Sequence, residues 1–276
     1  MTNEISKTTA SNKIGFTSFI TSNAITQKIN NIIGDDKKGA RFISSIVSAV
    51  NNNPVLKECD NQSIISGALL GESLNLSPSP QLGQYYLVPF ADKDRGKVAT
   101  FQMGYKGYIQ LAIRSGQYKK LNVLAIKEGE LIKYDPLNEE IEVQLIEDEE
   151  KRENAKTIGY YAMFEYVNGF RKTMYWSKAK MEKHALQYSK GYQAKKGYTF
   201  WEKDFDGMAY KTMLRQLISK WGIMSIDMQQ AFEGDMAYIK EDGSKEYVDN
   251  EEPVSNVPEA EIVEKETKNV SLDELN

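Results

Sequence analysis

Between Gly67 and Gly116 the chain reads GALLGESLNLSPSPQLGQYYLVPFADKDRGKVATFQMGYKGYIQLAIRSG, and the order of residue types there narrows the fold more than any other stretch. Asp60 can cap a helix whose buried side is supplied by Ile64, Ile65, Ala68, Leu69 and Leu76. That helix must stop before Ser77-Pro78-Ser79-Pro80, because each X-Pro step disfavours helical backbone at the preceding residue. Gln84 to Phe90 and Val98 to Met103 are rich in aromatic and β-branched residues, and the polar turn ADKDRGK between them predicts a β-hairpin. Tyr105 to Ser115 then switches to helical spacing and ends at Gly116, a residue that accepts the left-handed conformation of a helix terminus.

The flanking regions extend this mixed pattern. Residues 1–38 are rich in Ser, Thr, Asn and Lys and are expected to form a flexible arm, with a short helix near Ile25 to Ile33 and a loop at GDDKKG. Phe42, Ile43, Ile46, Val47 and Val50 mark an amphipathic helix from Arg41 to Asn51. Lys119 to Lys127 and Leu131 to Tyr134 read as strands, and the acidic stretch from Asp135 to Glu153 reads as a solvated hairpin or loop. Thr157 to Trp176 reads as two strands joined by Asn168-Gly169, the pair preferred by a two-residue type I′ turn. That turn would set Glu165 opposite Lys172 and Met163 opposite Met174, with Tyr160, Phe164, Tyr166 and Tyr175 on the other face. Ser177 can cap a helix to about Tyr188, GYQAKKG is a basic connection, and Phe205 to Trp221 carries a single apolar stripe. The resulting division is an arm at 1–38, a core at 39–235, and an acidic, disordered tail at 236–276.

Charge is divided unevenly. The net value of −4 combines a tail from Lys240 to Asn276 with 12 acidic and 4 basic residues and a stretch from Tyr166 to Trp221 with 12 basic and 4 acidic ones. Twelve aromatic residues are interleaved in the basic stretch, making it a candidate polyanion surface or an ordinary solvated face over an aromatic core. No apolar run reaches the roughly 18 residues of a membrane helix, the first residues lack the pattern of a secretory signal, and Cys59 has no second cysteine to pair with. A cytoplasmic location is the expectation.

Lys106, Gln110 and Arg114 recur at i, i+4 and i+8, a row suited to phosphate oxygens along a strand, with Tyr105, Ile109, Ala112 and Ile113 turned to the core. Lys211 and Arg215 form a second pair one turn apart, and Arg171, Lys172, Lys178, Lys190, Lys195 and Lys196 add charge from the hairpin and the loops after it. Six phosphate contacts would give a log–log salt slope near about −4 on a single strand. Tyr105, Tyr118, Tyr192, Tyr198 and Trp201 could stack on bases or pack in the core. Gly34 to Arg41 lacks the Lys and Ser/Thr of a phosphate-binding loop, the lone His184 reads as a surface residue, and the run of acids diverges too much to hold a metal. Neither catalytic residues nor a cofactor or metal site are expected.

The words GALL, NLSPSPQLGQYYLVPF and FQMGYKGYIQLAIRSG resemble the core of the RecT family of phage single-strand DNA annealing proteins, over roughly Ala40 to Phe232. The resemblance implies an α+β fold, a β-hairpin-rich sheet packed with helices, similar to the Rad-group and lambda beta annealing proteins. It also implies binding of single-stranded DNA and of an annealed duplex intermediate, assembly as a homo-oligomeric ring or helical filament, and annealing without ATP. A phage exonuclease and a host single-strand-binding protein are the implied partners. A non-annealing single-strand protector and a self-assembling phage structural protein are the competing readings.

Overall fold

The computed structural model describes residues 14–92, 95–197 and 199–247. In chain order they form α1 (Phe16–Ile20), α2 (Asn23–Ile33), α3 (Asp36–Asn52), a 3₁₀ turn (Pro54–Glu58), α4 (Asn61–Ser73), β1 (Tyr85–Asp92), β2 (Gly96–Met103) and α5 (Tyr105–Arg114). There follow β3 (Tyr118–Lys127), β4 (Leu131–Asp135), β5 (Glu140–Val143), α6 (Glu149–Asn154), β6 (Thr157–Tyr166) and β7 (Arg171–Ser177). The described chain ends with α7 (Lys178–Tyr188), α8 (Lys190–Gln193), α9 (Phe200–Lys203), α10 (Phe205–Trp221), α11 (Ile226–Gly234), β8 (Ala237–Ile239) and β9 (Lys245–Tyr247). Antiparallel strands make one sheet in the order β1-β2-β8-β9, a second in the order β3-β6-β7, and a small ribbon β4-β5. The fold is therefore α+β, with hairpin-built sheets packed by helices.

Two cores lie side by side. The first joins α1 to α5 and the first sheet, with Phe42, Ile46, Ile64, Tyr85, Phe101 and Tyr108 buried in it. The second lies between β6 and the helices α7, α9 and α10, around Tyr160, Phe164, Met181, Trp201 and Met213. Helix α10 serves both: Leu214 and Ile218 enter the first core, while Ala209, Met213 and Leu217 enter the second. The single stripe expected from spacing is thus two adjoining faces, and Trp221 at its end is 40% exposed.

The ends of the core lie elsewhere than the sequence suggests. Phe16, Ile20 and Ile29 are buried with α3, so the expected arm from Phe16 onward forms two helices docked through these side chains; Phe16 and Ile20 are one turn apart on α1, and Ile29 lies on α2 among polar neighbours. GDDKKG is a helix junction, in which Asp35 caps α3 by accepting from the Lys38 N–H. After Gly234 the chain returns to the first sheet, where Ala237 pairs with Phe101 and β9 pairs with β8. Residues 1–13 of the expected arm and 248–276 of the expected tail lie outside the described residues. The acidic stretch from 135 to 153 forms part of the β4-β5 ribbon and α6, anchored by buried Glu130, which accepts from Arg152 Nε at 2.6 Å.

The β6-β7 hairpin forms where expected but with a different loop. Tyr166 N–H donates to Phe170 O, Gly169 N–H donates to Tyr166 O, and Gly169 has φ 86° while Asn168 keeps a negative φ. That is a three-residue loop closed by a left-handed glycine, and it shifts the register by one. Glu165 faces Arg171 and Phe164 faces Lys172. Lys172, Met174 and Trp176 therefore share the core face with Tyr160 and Phe164, and Tyr175 moves to the outer face with Thr173. Glu165 takes Lys119 as its ion-pair partner at 2.6 Å.

Helix α5 lies hard against the chain that enters β1. A Cβ at Gly104 would collide with Gly83 O, and one at Gly107 with Gln84 O. His184 is half-buried among Trp176, Tyr188 and Trp201 rather than on the surface. Burial, aided by the Arg215 charge, pushes it down to about 4 from 6.5. Stability supplied by the neutral ring is therefore full above about pH 6.5 and is lost as the pH falls through about 4, and His184→Phe should flatten that segment of a thermal-stability profile. Gly169→Ala should cost about 1–2 kcal/mol in urea unfolding because it must hold a left-handed backbone, whereas Asn168→Gly should stabilise nothing.

Candidate nucleic-acid interface

Helix α5 begins after Gly104 and turns Tyr108, Leu111 and Ala112 into the first core. Lys106, Gln110 and Arg114 are exposed, in a row spanning about 12 Å at 1.5 Å per residue. Ile113, expected inside, is 60% exposed, because the inward face runs through Tyr108 and Leu111 instead. Arg114 Nε donates to Gln110 O at 3.4 Å, which leaves the guanidinium at the exposed end of the row.

From Lys106 an aromatic path leads across to the second core. Lys106 Nζ is 6.0 Å from the Tyr105 ring, which meets Tyr210 edge-on at 5.7 Å; Tyr210 meets Tyr160 at 6.1 Å, and Tyr160 meets Phe205 at 6.2 Å. Lys178 Nζ closes the path, 5.7 Å from the Phe205 ring. Tyr86 and Phe200, 5.7 Å apart, add an aromatic pair, with Phe200 39% exposed. Gly83 ties the pair to this region, since its neighbours include Tyr86 and Lys106. Tyr105, Lys106 and Lys178 are thus linked through ring contacts that spacing did not reveal, and Gln110 and Arg114 continue the row along α5 as spacing predicts. Phe200 and Tyr86 gave no sequence signal beyond being aromatic.

Lys211 and Arg215 are engaged elsewhere. Lys211 is buried and its Nζ donates to Asp235 Oδ1 at 2.8 Å; Arg215 Nη1 donates to Asp235 Oδ2 at 2.6 Å. Asp235 also accepts from Met103 N–H at 2.9 Å and from Tyr108 Oη at 3.0 Å. Burial opposes its ionisation, but the two cations beside it hold its carboxyl below the usual 3.8. Both residues stood in the expected DNA-contacting set; the structure gives them a carboxylate partner inside the fold, 20 or more residues away in sequence, which no local pattern could show.

The remaining candidates are dispersed. Lys172 pairs with Glu139 and lies 3.8 Å from the Trp221 ring, at the C-terminal end of α10. That end is about 24 Å along the helix from Phe205. Arg171 is exposed beside it. Lys190, Lys195 and Lys196 are exposed on α8 and the turn after it. Of the expected stacking residues, Trp201 is 7% exposed and Tyr118 packs on Phe164 and Tyr166, so both are core; Tyr192 is half-buried against Trp201, and Tyr198 lies outside the described residues. Among the described residues no group of three or more His, Cys, Asp or Glu is placed to hold a metal ion.

A family model described as the RecT family matches residues 40–255. The chain is 42% identical over 250 residues to the uncharacterized protein YqaK of Bacillus subtilis, covering 91% of this chain and 79% of that one. It is 28% identical over 217 residues to the protein RecT of Escherichia coli, covering 78% of this chain and 77% of the relative.

The Asp235 cluster makes a thermodynamic prediction. Asp235→Ala strands two cations in the interior and should cost about 3–5 kcal/mol in denaturant unfolding. Because the folded Asp235 value is depressed, its contribution is full above the ordinary 3.8 and is lost as pH falls through the lowered value, so the variant should lose that acid limb. Lys211→Met should alter stability while leaving the salt slope of DNA binding unchanged.

Proposed function

Because this chain belongs to the RecT family, we propose that it binds single-stranded DNA and anneals complementary strands in recombination, without nucleotide hydrolysis and as a homo-oligomer on the strand. The observation that carries this reading is the exposed row of Lys106, Gln110 and Arg114 on α5, continued toward Lys178 by the path of Tyr105, Tyr210, Tyr160 and Phe205.

In this mechanism Lys106, Arg114 and Lys178 grip phosphates, and each contact releases condensed counterions, so binding favours any sequence equally. Gln110 donates to phosphate or sugar oxygens between the cations. Tyr105, Tyr86 and Phe200 bound the strand with apolar surface, and base edges stay free for a complementary strand. Pairing and stacking supply both the free energy and the specificity, so the protein's task is to hold one strand extended and neutralised. Arg171, Lys172, Lys190, Lys195 and Lys196 belong in this reading to the outer track of the strand or its complement. A 5′-to-3′ exonuclease that exposes the strand and a host single-strand-binding protein are the proposed partners, and the protein works in the cytoplasm.

Lys106→Ala with Arg114→Ala should make the log–log salt slope on an oligonucleotide shallower by about 1.4, two contacts at roughly 0.7 each. The same pair should slow hybridisation of complementary fluorescent oligonucleotides mixed without nucleotide. If the wild-type protein binds a strand yet never accelerates pairing, the annealing reading fails and a protective role remains.

A further inference from the structure

The fold keeps two poles of opposite charge on opposite sides of one sheet. The acidic pole is the arm from Glu128 to Lys156, comprising β4, β5 and α6, with 11 acidic and 4 basic residues, net −7. Glu140, Glu142, Glu147, Glu149 and Glu150 are exposed on it, as are Ile132 at 55%, Leu137 at 88% and Leu145 at 49%. The basic pole runs from Lys178 to Lys203, with 7 basic and 2 acidic residues, net +5. On α7 the exposed Lys180, Lys183 and Leu186 recur at i, i+3 and i+6, so they form one stripe with Leu186 42% exposed.

The sheet β3-β6-β7 stands between them. On the outer side of β7, Thr173 Oγ1 donates to Glu139 O at 2.6 Å and the Tyr175 ring meets Tyr134 at 5.0 Å, which fixes the arm there. On the inner side Trp176 meets His184 of α7 at 5.5 Å. Alternation along the strand puts residues 173 and 175 on the face opposite to 174 and 176; the arm's ion pair to the inner-face set, Glu139 with Lys172, lies at the other end of β7 from Trp176, which leaves Glu140 and Glu142 away from the α7 stripe of their own chain. Two surfaces matched in charge and both bearing exposed apolar side chains are therefore left for contact between chains.

We infer that the acidic arm of one copy docks on the α7 stripe of a second copy, with Glu140 and Glu142 facing Lys180 and Lys183 and with Leu137 and Leu186 supplying the apolar contact. The contact is head-to-tail, because the two surfaces differ, and its repetition builds either a closed ring or an open helical filament. It deepens the oligomeric part of the proposed function and rests on that reading only in taking a DNA strand as the template. The stripe does not include Lys106, Gln110 or Arg114, and Lys178 of the strand path, although it also lies on α7, is turned about 160° from Lys180 at roughly 100° per residue, so assembly and strand binding can proceed together.

Two charge-reversed variants test the contact, Glu140→Lys/Glu142→Lys on the arm and Lys180→Glu/Lys183→Glu on the stripe. Assembly is read by mass photometry in free solution and on a long thymidine homopolymer, and strand binding is read separately on an oligonucleotide short enough for one subunit. Each variant alone should raise the concentration for half-assembly by about tenfold or more. An equimolar mixture should restore assembly, since reversed arm then meets reversed stripe and native arm meets native stripe. Assembly of both variants at the wild-type concentration, a mixture no better than its components, or a wild type that stays monomeric in both settings would overturn the contact. A chain ending at Tyr247 addresses the other acidic occupant, residues 248–276 with 9 acidic and 2 basic side chains. If that truncation alters assembly and arm reversal does not, the stripe is held by the chain's own end and the arm contact is wrong. Loss of short-oligonucleotide binding by the wild type would instead count against the annealing reading.

Discussion

One buried carboxylate organises the meeting of the elements around the cation row. Asp235 follows α11 and receives hydrogen bonds from Lys211 and Arg215 on α10, Tyr108 on α5 and the Met103 N–H at the end of β2. Three elements, the consecutive β2 and α5 and the distant α10, are thereby oriented against a single charge. The cluster carries one more positive charge than negative, and Arg215, with 22% of its side chain accessible, lies where that surplus meets solvent beside the Phe232 ring. Ion pairs of this kind add little net stability over apolar packing, but they impose geometry, since each donor has one direction in which it is satisfied.

Geometry is what the proposed activity requires. Annealing demands that a strand be neutralised and extended while its base edges remain available, so the proposed activity calls for placement of groups rather than for the breaking of a bond. Tyr108, anchored by Asp235, lies on the inner side of the helix whose outer side presents Lys106, Gln110 and Arg114. The depth of the core thus sets the height of the cations. The aromatic path from Tyr105 to Phe205 extends the same logic, because packed rings transmit position with little play.

Much of this was legible in the sequence where local rules decide. The β1-β2 hairpin, α5 and α10 follow from alternation, turn chemistry and helical spacing, and Asp60 and Ser177 cap the helices they were expected to cap. Asn168-Gly169 fixed the place of a turn but not its length, because the pair suits both a two-residue loop and a three-residue loop with a left-handed glycine; one residue then exchanged the faces of Lys172 and Tyr175. Spacing could not show that Lys211 and Arg215 meet Asp235, because a cation on a helix looks the same whether its partner is a phosphate outside or a carboxylate from a distant segment. Likewise Phe16, Ile20 and Ile29 are sparse among polar residues, and their burial depends on α3 offering Phe42 and Ile46 to receive them.

The seat of α5 on the segment preceding β1 bears on how such a protein could accommodate one strand and then two. At Gly104 and Gly107 backbone meets backbone with no side chain between, so the helix and the strand entry form a single stiff body. Neither tilting nor lifting of that helix is available without separating main chains in van der Waals contact. In the proposed oligomer, room for an incoming complement would then come from rotation of whole subunits about one another, each behaving as a rigid tile.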